Sequence, residues 1–323
     1  MIATGVGINP VKAIHLRDEF TITEKLRRKA LIPAGSPVVQ GIGDDCAIYR
    51  PRGSADDLLF TTDMLIENVH FRRETHKPAE VGRKALARGL SDIAAMGGAP
   101  RFCLISLCVG DGLNQKANEK WMDGFFEGVL ALAAETGTVL AGGDLASGER
   151  MACDVVVGGA VPRGEALLRS GARAVHEIWV SGELGGAALG LEINKGKAKR
   201  RHVRPEPRLA LGQFIRERLR ATAAMDVSDG LSLDLKRMCA ASNVSAEITA
   251  PPRFNGASLE QSLHGGEEYE LLFTVRPGTR VPGDFEGLGL TRIGRMTAGT
   301  AGEVRLNGEK LEAKGWDHFA GRR

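Results

Sequence analysis

Apolar positions recur along this chain in two rhythms, and the changes between them predict alternating helices and strands. Residues 18–32 carry Phe20, Ile22, Leu26 and Leu31 among charged neighbours, the spacing of a short amphipathic helix. The triplet Leu58-Leu59-Phe60 then runs as a strand into Thr61-Thr62-Asp63, and residues 64–71 extend the run to His70 and Phe71. From Pro78 the period becomes helical. Proline suits a first turn, and Leu86, Leu90 and Ile93 share one face until Gly97-Gly98 ends it. Asp92 projects from another side, on a stripe with Ala85 and Gly89, whose small side chains admit a second element or a ligand. Residues 102–109 predict a buried strand. Residues 114–135 predict a second helix, with Trp121, Phe125, Val129 and Leu132 on its apolar side and Gly137 as its cap. Val139-Leu140-Ala141 predicts a strand with Gly142-Gly143-Asp144 at its end, and residues 154–161 complete a mixed sheet covered by helices.

A second half begins near Pro162-Arg163-Gly164. Residues 178–180 form a strand into a glycine-rich turn, residues 181–187, that opens a helix without matching either phosphate-loop pattern. Met225-Asp226-Val227-Ser228-Asp229-Gly230 sits at another helix start, where free N–H groups favour an anion and the carboxylates suit its cation. Capping by Ser228 or Asp229 is compatible with that role. His264-Gly265-Gly266-Glu267-Glu268-Tyr269-Glu270 precedes the apolar run 271–275, and Asn307-Gly308 marks a tight hairpin. Residues 195–204 are the most basic stretch; lacking interleaved aromatics, they are expected to be a solvated connection, with nucleic-acid contact the minor alternative. The expected class is α/β with two domains, 18–161 and 162–323, after an N-terminal extension at 1–17.

Composition narrows the class. A chain of 323 residues suits two domains of ordinary size. Its 43% hydrophobic and 26% charged residues are values of a soluble globular protein. No window approaches the ~20 uninterrupted apolar residues of a membrane span. The start shows no cationic segment followed by an apolar one, and the five scattered cysteines have no metal or disulfide spacing, so a cytoplasmic protein with buried thiols is expected. A net charge of +3 does not by itself recruit nucleic acid.

The candidate chemistry is acidic. In Gly41-Ile42-Gly43-Asp44-Asp45-Cys46-Ala47, two glycines permit close backbone approach and two adjacent carboxylates repel each other unless a cation neutralises them. An acidic surface turn is the alternative. Thr61, Thr62 and Asp63 offer the hard oxygens that magnesium prefers, although the threonines serve equally as strand formers. Read alone, His70 is more often structural, Asp92 more often a solvated helix residue and Arg169 more often solvent-facing. Glu267, just after two glycines, is the acid expected to reach a ligand, and Trp316 is either a terminal anchor or one wall of a pocket. Six aspartates (Asp45, Asp63, Asp92, Asp144, Asp226 and Asp229) lie beside glycine, hydroxyl residues or helix ends in both halves. Gathered in one cleft with Mg²⁺ they make a cage for polyphosphate. Direct phosphoryl transfer needs no protein nucleophile.

In this order, 41–47, Thr61-Thr62-Asp63, 90–97, Gly142-Gly143-Asp144, 226–230, 265–270 and Gly315-Trp316-Asp317-His318-Phe319 resemble the thiamine-monophosphate kinase family. The resemblance implies a fold similar to aminoimidazole ribonucleotide synthetase, with two α/β domains and the N-terminal ones pairing in a homodimer. It implies transfer of the γ-phosphate of ATP to thiamine monophosphate with several Mg²⁺ ions. Asp45, Thr61, Thr62, Asp63, Asp92, Asp144, Asp226 and Asp229 are then the expected metal ligands. Gly143, Asp144, Arg169 and Ser228 are expected at ATP, and His70, Glu267 and Trp316 at the thiamine substrate. A sister enzyme of the same superfamily, similar to selenophosphate synthetase or the purine-synthesis synthetase, is the alternative, and the terminal Gly-Trp-Asp-His-Phe segment argues against it.

Overall fold

The computed structural model describes residues 19–110 and 115–319. The expected extension at 1–17, residue 18 and the first residue of the second predicted helix, Asn114, lie outside them. The first half runs α1 (Glu19–Lys29), β1 (Val38–Gln40), β2 (Ala47–Tyr49), β3 (Asp56–Ile66), α2 (Pro78–Ala95), β4 (Ala99–Gly110), α3 (Gln115–Thr136), β5 (Val139–Gly148) and β6 (Ala152–Pro162). Its strands form one sheet in the order β1-β2-β3-β6-β4-β5, antiparallel except for the parallel pair β4–β5. That is the mixed sheet the alternation predicts.

The second half runs β7 (Glu177–Ser181), α4 (Gly186–Ile193), α5 (Gly196–Val203), α6 (Leu209–Glu217), β8 (Ala223–Asp226), α7 (Leu231–Ala241), β9 (Ser245–Ile248), α8 (Leu259–His264), β10 (Leu271–Val275), β11 (Asp284–Phe285), β12 (Leu288–Thr297), β13 (Val304–Leu306) and β14 (Glu309–Lys310). The second sheet is ordered β14-β13-β9-β12-β7-β10-β8, with β11 paired to β12. Asn307 and Gly308 both take positive φ, 52° and 87°, and turn β13 into β14 as the Asn-Gly pair predicts. The two-domain α/β class is therefore observed.

One helix joins the halves. Leu86, Leu90 and Ile93 of α2 are buried in the first core with Leu59, Val155 and Val157, while Ala94 and Ala95 pack with Leu211, Ile215, Ala224 and Phe273 of the second half. The last turns of α2 therefore run along the seam, which fixes Ser91 and Asp92 between the two sheets. The small stripe on α2 admits a second element: Gly89 lies against Val157, where an added Cβ would stand 2.6 Å from its Cγ2.

The pairing of α2 with α3 also depends on small residues. A Cβ on Gly82 would lie 1.9 Å from the Phe125 carbonyl oxygen, and one on Gly128 would lie 1.9 Å from that of Ala79. The neighbours are backbone, so they cannot rotate away. Gly82→Ala is expected to lower stability by about 1–3 kcal/mol through overpacking. Gly283→Ala, into open space, should shift it by less than about 0.5 kcal/mol in the same urea titration.

Two expectations are corrected. Residues 195–204 have one solvated face, where Lys195, Lys197, Arg200 and Arg204 are exposed, rather than being a solvated connection throughout. They form α5, with Ala198, His202 and Val203 turned inward, and Arg201 paired to Glu268 and Glu270. The charge run masked an i, i+4, i+5 inward face. Gly142-Gly143-Asp144 does not end its strand either, because β5 continues to Gly148 alongside β4.

Candidate active site between the two halves

A cavity of about 750 Å³ opens at the seam. Carboxylate oxygens of Asp45, Asp92 and Asp226 all lie within 4.8 Å of one another there. Each arrives by a different route. Asp45 follows the Gly41–Gly43 turn before β2, Asp92 sits on α2, and Asp226 ends β8, so the cluster exists only because the two halves pack together. Hydroxyls orient it: Thr61 donates to Asp92 at 2.5 Å and Ser91 donates to Asp226 at 2.6 Å.

The cluster is electrostatically costly by itself. Burial, and then the Asp226 charge, push Asp92 well above the ordinary carboxylate range. Burial and Asp45 push Asp226 up to about 8 and Asp44 up to about 7. Asp45 Oδ2 is buried without a hydrogen-bond partner among the described residues. Three converging hard-oxygen donors, one with an orphaned oxygen, suit a divalent cation such as Mg²⁺. Arg169 closes one side. Its Nε and Nη2 donate to Asp45 at 3.1 and 2.5 Å, and its backbone N–H donates to the Asp44 carboxylate at 3.2 Å.

The remaining predicted residues surround this centre. Thr62 lines the cavity with its hydroxyl on Asp154 at 2.6 Å. Asp63 lines it too, held in a bidentate pair by Arg88 at 2.9 and 2.5 Å. Asp229 is paired with Arg237, and its backbone N–H and that of Gly230 donate to buried Asp234 at 3.0 Å each. The Ser228 loop is braced by the Glu267 N–H, which donates to the Ser228 carbonyl at 2.7 Å.

At the far end, His70, His318 and Trp316 form an aromatic wall, with ring centroids 5.1 Å apart for His70–His318 and 5.6 Å for His318–Trp316. Trp316 is 46% exposed, and its backbone N–H donates to the Asp229 carbonyl at 2.9 Å. The tryptophan is thus both anchored and open to a ligand. His70 accepts the Ile66 N–H at Nδ1, 3.0 Å, which places its proton on Nε2, a buried atom with no partner among the described residues. Burial and then Arg88 push this imidazole down to about 3, so it is neutral.

Gly143 and Asp144 stand apart. They lie exposed on β5, at the sheet edge, and strands β6 and β4 separate β5 from β3. At about 4.8 Å per strand that is roughly 14 Å from the Asp63 strand. Within one chain they do not join the cluster.

Several residues in or directly behind this cavity belong to none of the motifs. Lys84 is fully buried, with Nζ 2.7 Å from Glu267 Oε1 and 3.2 Å from the His70 carbonyl oxygen, which it meets as a donor. His202 approaches the other Glu267 oxygen at 3.1 Å. Burial alone would raise the Glu267 pKa, but Lys84 and the His202 hydrogen bond outweigh it and hold the carboxyl below the usual range. Lys84, Arg88 and Asp92 stand at i, i+4 and i+8 on one stripe of a helix whose other polar side chains are Glu80, Arg83 and Ser91. That polar stripe was the available signal. Helix α1 also borders the cavity through Phe20 and Thr23, and its first N–H, on Glu19, donates to the Asp317 carboxylate at 3.1 Å.

The buried pair sets up a test. Lys84→Met removes the main counter-charge of the partly buried Glu267 carboxylate, which keeps only His202, and is expected to cost about 1–3 kcal/mol in urea unfolding. The double variant Lys84→Met/Glu267→Gln should be more stable than Lys84→Met alone, because the orphaned charge is gone.

With this geometry in place, comparison with known proteins is direct. The model of the AIR synthase related protein N-terminal domain matches residues 43–161, and that of the C-terminal domain matches 164–307. The thiamine-monophosphate kinase of Bacillus subtilis (strain 168) is 34% identical over 94% of this chain and 99% of its own. That of Escherichia coli (strain K12) is 36% identical over 87% and 92%. The solved structure of AaThiL complexed with AMPPCP and TMP superposes with a TM-score of 0.81 at 32% identity, covering 93% of this chain and 97% of that one. Domain models over both halves and relatives matched almost end to end lead to one conclusion: the chain belongs to the thiamine-monophosphate kinase family of AIR synthase related proteins.

Proposed function

We propose that the seam cavity transfers the γ-phosphate of ATP to thiamine monophosphate, giving thiamine diphosphate and ADP. The observation that carries this reading is the convergence of Asp45, Asp92 and Asp226 within 4.8 Å, from elements of both halves. The relative AaThiL, complexed with AMPPCP and TMP, supports the choice of reactants.

Two anions must meet in line, and carboxylates alone would repel both. Asp45, Asp92 and Asp226, with Thr61, Thr62, Asp63 and Asp229 as further oxygen donors, would hold Mg²⁺ ions, which would supply the charge neutralisation that the approach needs. The chain's own groups do the rest. Thr61 and Ser91 fix the orientation of Asp92 and Asp226 through their hydroxyls. Arg169 and Ser228, which line the same cavity, are the residues that would hold the ATP phosphates. The neutral His70 offers its Nε2 proton to the thiamine end, Glu267 accepts from polar groups there, and Trp316 stacks on the cationic thiazolium or the pyrimidine. The acceptor phosphate is already largely ionised near neutral pH, so no protein base is assigned.

Gly143 and Asp144 are assigned to ATP and its metal by way of a homodimer. Met64, Val139 and Leu145 are exposed apolar side chains on the N-terminal sheet. Pairing through this sheet would carry β5 to the site of a second copy. The division at 161/162 into a nucleotide-binding, dimerising domain and a domain that completes the site belongs to the same reading. So does a cytoplasmic location: all five cysteines are free, and no helix among the described residues is long and apolar enough to cross a membrane. The direct test is thiamine diphosphate formation from ATP and thiamine monophosphate with Mg²⁺. Wild-type turnover supports the assignment. Inactivity on this pair, with turnover of another acceptor, transfers it to a sister enzyme.

A further inference from the structure

A second cavity, of about 670 Å³, lies on the other side of the 164–173 loop that carries Arg169. Arg173, Arg220 and Arg276 reach it from three separate places: the approach to β7, the turn after α6 and the turn after β10. None of the three is in an ion pair among the described residues. Glu165, the single acid among the described lining residues, is taken by the buried Arg216 at 2.7 Å. Burial lowers the pKa of the neighbouring His176, and the Arg276 and Arg173 charges act in the same direction. The His176 ring is pinned at Nδ1 by the Arg173 N–H at 3.2 Å and lies 2.9 Å from the Thr222 hydroxyl.

Like charges gathered around a concavity repel one another and focus a positive potential into it, which an anion relieves. Guanidinium groups match phosphate oxygens two at a time, and three of them suit a group with more than one negative charge. Arg220 is also held at φ 51°, a left-handed conformation unfavourable for arginine. We propose that this cavity is a second anion site, separate from the acidic cluster, that takes the phosphate or diphosphate group of a small molecule.

The site does not depend on the kinase reading and is testable without turnover. Calorimetric titration of the full chain with pyrophosphate in EDTA uses a condition in which the metal-free carboxylate cluster repels the probe. Saturable binding is expected, one pyrophosphate per chain. Arg220→Gly and Arg173→Gln should each weaken it about tenfold or more, since a charge-assisted contact contributes roughly 1.5–3 kcal/mol. Arg220→Gly relieves the left-handed backbone, so its effect is not a folding defect. Arg52→Gln, which removes an exposed cation of the first half outside the cavity lining, should leave binding unchanged. Absence of saturable heat up to about 10 mM pyrophosphate, weaker than any specific site of this kind, would overturn the proposal. So would binding that survives both arginine changes.

Discussion

Asp226→Asn is expected to lower kcat/KM for thiamine diphosphate formation by about 10²–10³-fold, while the metal-free variant melts at a higher temperature than wild type. Both effects have one cause. Asp226 is buried, accepts from Ser91 at 2.6 Å and shares a 4.8 Å cluster with Asp45 and Asp92. Asparagine keeps an oxygen for the Ser91 hydroxyl and removes the charge. The loss of charge relieves repulsion in the folded protein and deprives a divalent ion of a ligand. Steady-state kinetics beside thermal denaturation in EDTA separate the two. A variant that loses activity and stability together would show that Asp226 serves packing, not metal binding.

Mg²⁺ should stabilise the wild-type protein, and by more at pH 8 than at pH 6.5. Asp226 with a folded value of about 8, and Asp44 and Asp234 with about 7, bind protons more tightly folded than unfolded. Their contribution is complete below the unfolded carboxylate range and is lost as pH rises through 7 to 8, so stability in EDTA falls across that window. His70 and His76, lowered to about 3 and 4, act on the acid side: their contribution is present above pH 6.5 and is lost as pH falls towards those values. Above the histidine range the raised carboxylates set the slope. Bound Mg²⁺ would replace the proton as their counter-charge, and at 100 times its dissociation constant it would add about 2.7 kcal/mol, or roughly 4 °C in melting temperature for a chain of this length. A Mg²⁺ shift that vanishes at pH 8 would contradict the cluster's assignment.

Much of this site was legible because its residues sit where local chemistry is unusual. Paired aspartates after a glycine turn, hydroxyls and a carboxylate along a strand, and Asp-x-Ser-Asp before a helix are each visible within a few residues. The Leu86/Leu90/Ile93 face of α2 and the Asn307-Gly308 hairpin were equally local. What escaped notice depends on partners far away in the chain. Lys84 resembles an ordinary surface lysine until Glu267, nearly two hundred positions later, closes on it at 2.7 Å. Arg201 looks like one more solvated cation of the basic run until Glu268 and Glu270, far along the chain, close on it. Glycine is a poor strand former, so β5 was expected to stop at Gly142; pairing with β4 overrides that local preference.

Carboxylates from distant parts of the chain are expected to act together, through divalent ions, on two phosphorylated molecules. Electron paramagnetic resonance of Mn²⁺ added to the protein with a non-hydrolysable ATP analogue and thiamine monophosphate tests this most directly. Tight Mn²⁺ binding is expected in the wild type, with loss of the bound-ion spectrum in Asp226→Asn. Mn²⁺ that stays free in the wild type, or binds Asp226→Asn equally well, would contradict it.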